Sequence, residues 1–169
     1  EVVERSDSSV GSLYARFRNK RGLLQAVQGR YVDRVETALA AAMAGSTDDR
    51  LEDCVDRVVG QLCDYLLNDP KLFRAFILEA VLDARIRGQG EKISGARRDM
   101  ITDALLQHRA EIGHPDPDLA ARWFYTLCMA VLRERITFGE GAELSGSFDD
   151  STMKQELCRT ARGYLIGGS

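Results

Sequence analysis

Apolar side chains recur every three or four residues along most of the chain, which is the spacing of one face of an α-helix. One such run extends from Leu24 to about Gly45, and a second lies between Leu51 and Leu67. The sequence lacks the β-branched, alternating runs that signal strands. The pattern therefore predicts an all-α protein.

Capping residues and prolines indicate where several of these helices begin. Asp69-Pro70 places a capping carboxylate before a first-turn proline, and His114–Pro117 repeats the arrangement. Ser46–Asp49 supplies a cap and early acids for the helix that contains Leu51. A last helix is predicted from about Asp149 to Ile166.

Glycines predict two interruptions in the helical pattern. Gly88-Gln89-Gly90 predicts a break between a helix over 71–87 and another over 91–112. The glycine-rich segment 139–148 predicts a loop before the last helix. The body is thus expected to be a helical bundle joined by short connections.

Charge is distributed unevenly along the 169 residues, whose net charge is −3. Residues 1–34 hold seven Lys or Arg side chains and four Asp or Glu side chains. The rest of the chain carries the acidic excess. A small basic segment attached to an acidic body makes the N-terminal region the candidate for contact with nucleic acid.

The N-terminal segment combines a turn with a short helix. Ser6-Asp7-Ser8 favours a turn because short polar side chains hydrogen-bond their own backbone, and the next serine caps a helix over about 9–15. Two short helices around such a turn form a helix-turn-helix, whose second helix enters the major groove of DNA. Lys20 is predicted to begin the next helix, whose free N–H groups favour an anion. The expected DNA-contacting residues are small, hydroxyl-bearing or cationic for the most part: Ser9, Val10, Gly11, Ser12, Tyr14, Arg16, Lys20 and Arg21.

The stretch Gly11–Leu24, GSLYARFRNKRGLL, resembles the signature of the tetracycline-repressor (TetR-like) family of transcriptional regulators. The shared pattern is a glycine, a small residue, an aliphatic residue and tyrosine, followed by phenylalanine, a small polar residue, lysine and leucine. The chain differs from the usual pattern at Ser6–Ser9, where alanine-glycine-valine-serine is common, and at Arg16, where histidine is common. In the family a further helix precedes this pair, so we expect the first helix and part of the second to lie outside the chain.

The resemblance implies a helix-turn-helix DNA-binding module with its linking helix over 1–44. A helical ligand-binding and dimerisation domain over 45–169 would follow. It further implies a ligand-responsive transcriptional regulator, more often a repressor, that binds operator DNA as a homodimer and is released by a small-molecule inducer.

Two sets of residues in the body are candidates for these implied roles. The ligand-pocket candidates are bulky residues of the middle helices: Leu62, Tyr65, Leu66, Phe73, Phe76, Ile77, Met100, Trp123, Phe124 and Cys128. The candidates for an isologous dimer interface lie on apolar stripes of the last two helices: Leu127, Val131, Met153, Leu157, Ala161 and Tyr164. Glu79 and Asp83 are candidates for a polar ligand contact, although exposed or salt-bridged carboxylates are the simpler interpretation.

The residues give little support for catalysis or for a metal. The four cysteines, Cys54, Cys63, Cys128 and Cys158, form no CxxC pair and are expected to be small buried side chains in a reducing compartment. The two histidines lie in no recognisable nucleophile motif or metal-ligand spacing. We therefore expect no enzymatic activity, no cofactor, no membrane partner and a cytoplasmic location.

Two other functions remain open from the sequence. A helical enzyme or small-molecule carrier predicts ligand binding or turnover without DNA binding. A protein-interaction bundle predicts a different protein as partner and a monomer in isolation.

Overall fold

The computed structural model describes Phe17 and residues 20–43, 49–139 and 148–167, and this part of the chain forms helices and no strand. The prediction of an all-α protein is confirmed. The predicted turn and short helix over 6–15 lie outside the described residues, as do 140–147 of the predicted loop. The α-helices are α1 (Lys20–Met43), α2 (Leu51–Leu67), α3 (Pro70–Leu82), α4 (Ala84–Leu106), α5 (Pro117–Phe138) and α6 (Asp150–Leu165), and a 3₁₀ turn, Arg109–Glu111, follows α4.

Aspartate side chains cap three of these helices where the sequence predicts a start. Asp69 accepts a hydrogen bond from the backbone N–H of Leu72 at 3.1 Å, before the first-turn proline of α3. Asp116 accepts from the N–H of Leu119 at 3.0 Å at the start of α5. Asp149 caps α6 through the N–H of its first turn. These ends follow from local chemistry alone, because a cap satisfies helix N–H groups that have no intrahelical partner.

The start of α2 differs from the prediction. Ser46–Asp48 lie outside the described residues, and Asp49 pairs with Arg57 at 2.5 Å. The N–H of Leu51 donates instead to Oε2 of Glu111 at 3.0 Å, across sixty positions of the sequence. The carboxylate of Glu111, from a turn distant in sequence, therefore caps the first N–H group of α2.

The predicted break at Gly88-Gln89-Gly90 is wrong, because α4 continues through all three residues. The chain turns instead at Asp83, whose backbone is extended and whose carboxylate accepts from the N–H of Arg85 at 2.8 Å. A glycine inside a helix costs about 1 kcal/mol relative to alanine, which packing of the rest of the helix can outweigh. Ile86 and Ile101, on either side of the glycines, are completely buried.

The core of the body is built around α2, which packs against α3, α4, α5 and α6. Its buried face carries the predicted apolar stripe, including Leu51, Val58, Leu62 and Leu66. The chain divides into two compact units, Glu1–Val35 and Glu36–Ser169, and the boundary between them lies within α1. The second unit contains the core cluster, from Leu39 of α1 to Leu165 of α6.

Candidate functional site

The predicted DNA-contacting residues fall mostly outside the described part of the chain. Ser9, Val10, Gly11, Ser12, Tyr14 and Arg16 all lie there. Lys20 is the first residue of α1, as the sequence predicts, and Arg21 is the second. The prediction that a helix begins at Lys20 is confirmed, and contacts with DNA stay a prediction.

The predicted pocket residues divide into three groups. Leu62, Leu66, Phe124 and Cys128 are completely buried in the core around α2. Trp123 is 53% exposed on the outer face of α5, so the pocket prediction does not hold for it. The remaining five are Tyr65, Phe73, Phe76, Ile77 and Met100. Phe76 is buried, and the other four are partly buried and pack against the core.

Three aromatic rings of this last group contact one another in a chain. The centroids of Tyr65 of α2 and Phe73 of α3 lie 4.7 Å apart with the rings nearly perpendicular. Phe73 and Phe76 follow at 6.3 Å in the same edge-to-face arrangement. Edge-to-face geometry places the positive edge of one ring on the negative face of the next. The structure therefore brings three predicted pocket residues into one aromatic cluster.

Sequence reasoning missed the charged residue beside this cluster, Arg97 of α4. Arg97 is only 4% exposed, and its guanidinium carbon lies 3.9 Å from the centroid of the Tyr65 ring. Its Nε and Nη2 atoms are buried and have no hydrogen-bond partner among the described residues. A signal for it exists in the sequence: Arg97 lies four residues before the buried Ile101, on the apolar face of α4.

Tyr125 of α5 also lies near Arg97. Its hydroxyl donates to the backbone oxygen of Ser94 at 3.3 Å. Burial raises the pKa of both Tyr65 and Tyr125, while the charge and hydrogen bonding of Arg97 act in the opposite direction. Both phenols are therefore neutral near pH 7. The cluster therefore offers a cation and neutral hydroxyl groups.

The predicted interface residues also separate. Met153, Leu157 and Ala161 of α6 are buried within the chain's own core, because this stripe packs inward as α6 lies on α2 and α5. They have no surface left for a partner, and the interface prediction does not hold for them. The other three, Leu127, Val131 and Tyr164, are half-buried.

α5 instead exposes two large apolar side chains. Leu119 is 47% exposed and Trp123 is 53% exposed. Leu127 lies four residues further on, so the three side chains share one helix face. Sequence periodicity grouped Leu127 with Val131 as interface candidates and assigned Trp123 to the interior, and the interface itself stays a prediction.

The cysteines and Asp83 occupy structural positions. Cys54, Cys63 and Cys128 are buried free thiols, as predicted, and Cys158 is half-buried. Burial raises the pKa of the Cys63 thiol to about 11, which keeps it protonated and unreactive. Asp83, a candidate for a ligand contact, caps α4.

No protein-family model, curated protein or solved structure matches the chain. Within the described residues, no group of His, Cys, Asp and Glu side chains has the arrangement of a metal site. No helix in that part of the chain combines the length and the apolar character that crossing a membrane requires.

Proposed function

We propose that the chain is a ligand-responsive transcriptional regulator that binds operator DNA as a homodimer and is released when a small molecule binds its helical body. The observation that carries the proposal is the ordered basic motif Gly11–Leu24. Its lysine, Lys20, is the first residue of α1, where the free N–H groups of the helix favour a phosphate. The net charge of this region and the helical body that follows are consistent with this function.

The apolar strip of α5, formed by the exposed Leu119 and Trp123 and the half-buried Leu127, supports a second copy of the chain as partner. Large apolar side chains grouped on one helix face favour association, and a two-fold axis pairs the strip with itself. Dimerisation sets two recognition helices about 34 Å apart, which matches successive half-sites on one face of DNA. The inducer acts by favouring a spacing of the two DNA modules that does not fit the operator.

A salt titration of DNA binding tests the proposal. Operator sequences are first selected with the full-length protein from a random double-stranded library. Affinity for the selected DNA is then measured by fluorescence anisotropy between about 50 and 200 mM salt. Because each phosphate contact contributes about 0.9 to the slope of log K against log salt concentration, Lys20→Ala should reduce the slope by about that amount for each protomer.

Lys71→Ala is the matched control. Lys71 is an exposed lysine on α3 in the body, and its replacement removes the same charge. Equal slopes for wild type and Lys20→Ala, or an equal loss in both variants, would contradict the assignment of Lys20 to DNA. Failure to select any DNA would reject the regulator itself.

A further inference from the structure

Arg97 is the only charged side chain that is completely buried in the described part of the chain. It lies on α4 against the ring of Tyr65 of α2 and near Tyr125 of α5, and Tyr65 in turn contacts Phe73 of α3. A buried ion is stable only when its charge and its hydrogen-bonding groups are compensated. The cation–π contact with Tyr65, together with hydrogen bonding between the guanidinium and the phenols of Tyr65 and Tyr125, compensates part of the charge, and Nε and Nη2 are left without an acceptor.

The two groups without a partner, Nε–H and Nη2–H, lie on the same edge of the planar guanidinium. That edge is the fork that receives a carboxylate in two parallel hydrogen bonds. Among the described residues, two other arginines direct this edge at one oxygen of a carboxylate. Nε and Nη2 of Arg98 donate to Asp99 at 3.0 and 2.9 Å, and those of Arg135 both lie 3.2 Å from an oxygen of Asp150. Arg97 presents the same edge with no carboxylate among the described residues.

The surroundings of this edge favour an anion with an apolar body. Tyr65 covers one face of the guanidinium, and the rings of Phe73 and Phe76 continue from it at edge-to-face distances. The hydroxyl of Tyr125 donates to Ser94, and its oxygen accepts from Arg97. One guanidinium balances a single negative charge, which favours a monocarboxylate over a phosphate dianion.

We propose that Arg97 binds the carboxylate of a small aromatic or aliphatic acid, and that the apolar part of this acid lies against Phe73 and Phe76. The proposal rests on the proposed function, since it names the chemical class of the small molecule that the body recognises. The two N–H groups on one edge fix the position of the carboxylate. The aromatic rings exclude water around it, which strengthens the pairing.

Pairs of acids and their amides test this on the wild-type protein. Benzoate and phenylacetate are compared with benzamide and phenylacetamide by isothermal titration calorimetry and by thermal shift at low ionic strength and pH 7. Each amide keeps the shape of its acid and loses the charge. We expect each acid to bind at least tenfold more tightly than its amide. The melting temperature should rise with acid concentration, because a ligand that binds only the folded state stabilises it.

Arg97→Met and Arg98→Met are the matched variants, because they replace adjacent arginines with the same apolar residue. Arg98 is half-exposed and paired with Asp99, so its loss should leave acid binding unchanged. Arg97→Met should abolish acid binding while the melting temperature without ligand stays equal or rises. That rise separates a ligand-binding cation from a structural one, because replacing an unpaired buried ion by an apolar side chain does not destabilise the fold.

Several results would overturn the proposal. These are binding of neither acid, equal binding of acids and amides, unchanged acid binding by Arg97→Met, and a large loss of stability in Arg97→Met without ligand. The regulator is tested separately by DNA binding. If the protein binds acids and selects no DNA, the Arg97 site is supported and the regulator function is contradicted. If it binds DNA and no acid, the regulator function is supported and the Arg97 site is contradicted.

Discussion

Three glycines inside α4 give the most direct test of the fold. Gly88, Gly90 and Gly95 are all helical, and a Cβ atom added to any of them meets no atom within 4 Å. Replacing each by alanine therefore removes the helix penalty of glycine without a clash. The gain is about 0.8–1.0 kcal/mol per site, or about 2.5–3 kcal/mol for the triple variant if the three sites are independent.

Thermal and urea unfolding, both followed by circular dichroism at the helix band, measure this gain. For a chain of this size, 1 kcal/mol corresponds to about 2–4 °C, so the triple variant should melt about 5–12 °C higher. The dependence of unfolding free energy on urea should not change, because the surface exposed on unfolding is the same. Single variants assign the gain to each position.

Gly139→Ala is the control with the opposite sign. Gly139 ends α5 with φ of 68° and ψ of −148°, a conformation that almost only glycine adopts. An added Cβ would also lie 3.1 Å from Nη2 of Arg74. Alanine there should destabilise the fold by about 1–3 kcal/mol. If the α4 alanines are destabilising as well, the helix is interrupted near Gly88 and the continuous α4 is refuted.

Three further predictions concern acids, thiols and association. The N–H groups of the first turn of α6 lower the pKa of Asp149. The contribution of this carboxylate to stability is therefore complete above its ordinary pKa and is lost as pH falls through the lowered value. The difference in unfolding free energy between wild type and Asp149→Ala should be constant from pH 5 to 7 and shrink below about pH 4. With a disulfide reagent at pH 8, the half-buried Cys158 should react first and Cys63, whose pKa burial raises to about 11, only as fast as the protein unfolds; simultaneous reaction would contradict the core packing. In sedimentation equilibrium, Trp123→Glu should weaken the proposed dimer at least about tenfold while Leu78→Glu, on an equally exposed apolar residue of α3, has no effect; the same loss in both variants would refute the α5 strip as the interface.

Local chemistry explains why some helix ends could be predicted and others could not. Asp69 and Asp116 cap helices whose next residue is proline, and everything that this arrangement needs lies within four residues of sequence. The first N–H of α2 is satisfied by Glu111, and no local pattern connects residues sixty positions apart. The break predicted at Gly88 and Gly90 is wrong for a related reason. Glycine lowers only the local helix preference, and the packing of Ile86 and Ile101 stabilises the continuous helix.

Periodicity indicates which residues are buried without indicating what covers them. The stripe Met153, Leu157 and Ala161 was correctly placed on one face of a helix, and the chain's own α2 covers it rather than a partner. In Trp123-Phe124-Tyr125 the three rings point in different directions, and the two inward ones were not distinguishable from the outward one. Arg97 was missed because a charged residue is normally exposed, and its apolar neighbours one turn away were the only indication.

The exposure of Trp123 has an optical consequence. The chain contains one tryptophan, and it lies on the outer face of α5 rather than among the aromatic rings of the interior. Emission excited at the red edge of indole absorption therefore comes from that face alone. It reports on association through that face without any added label, which makes tryptophan emission a direct measure of the proposed dimer.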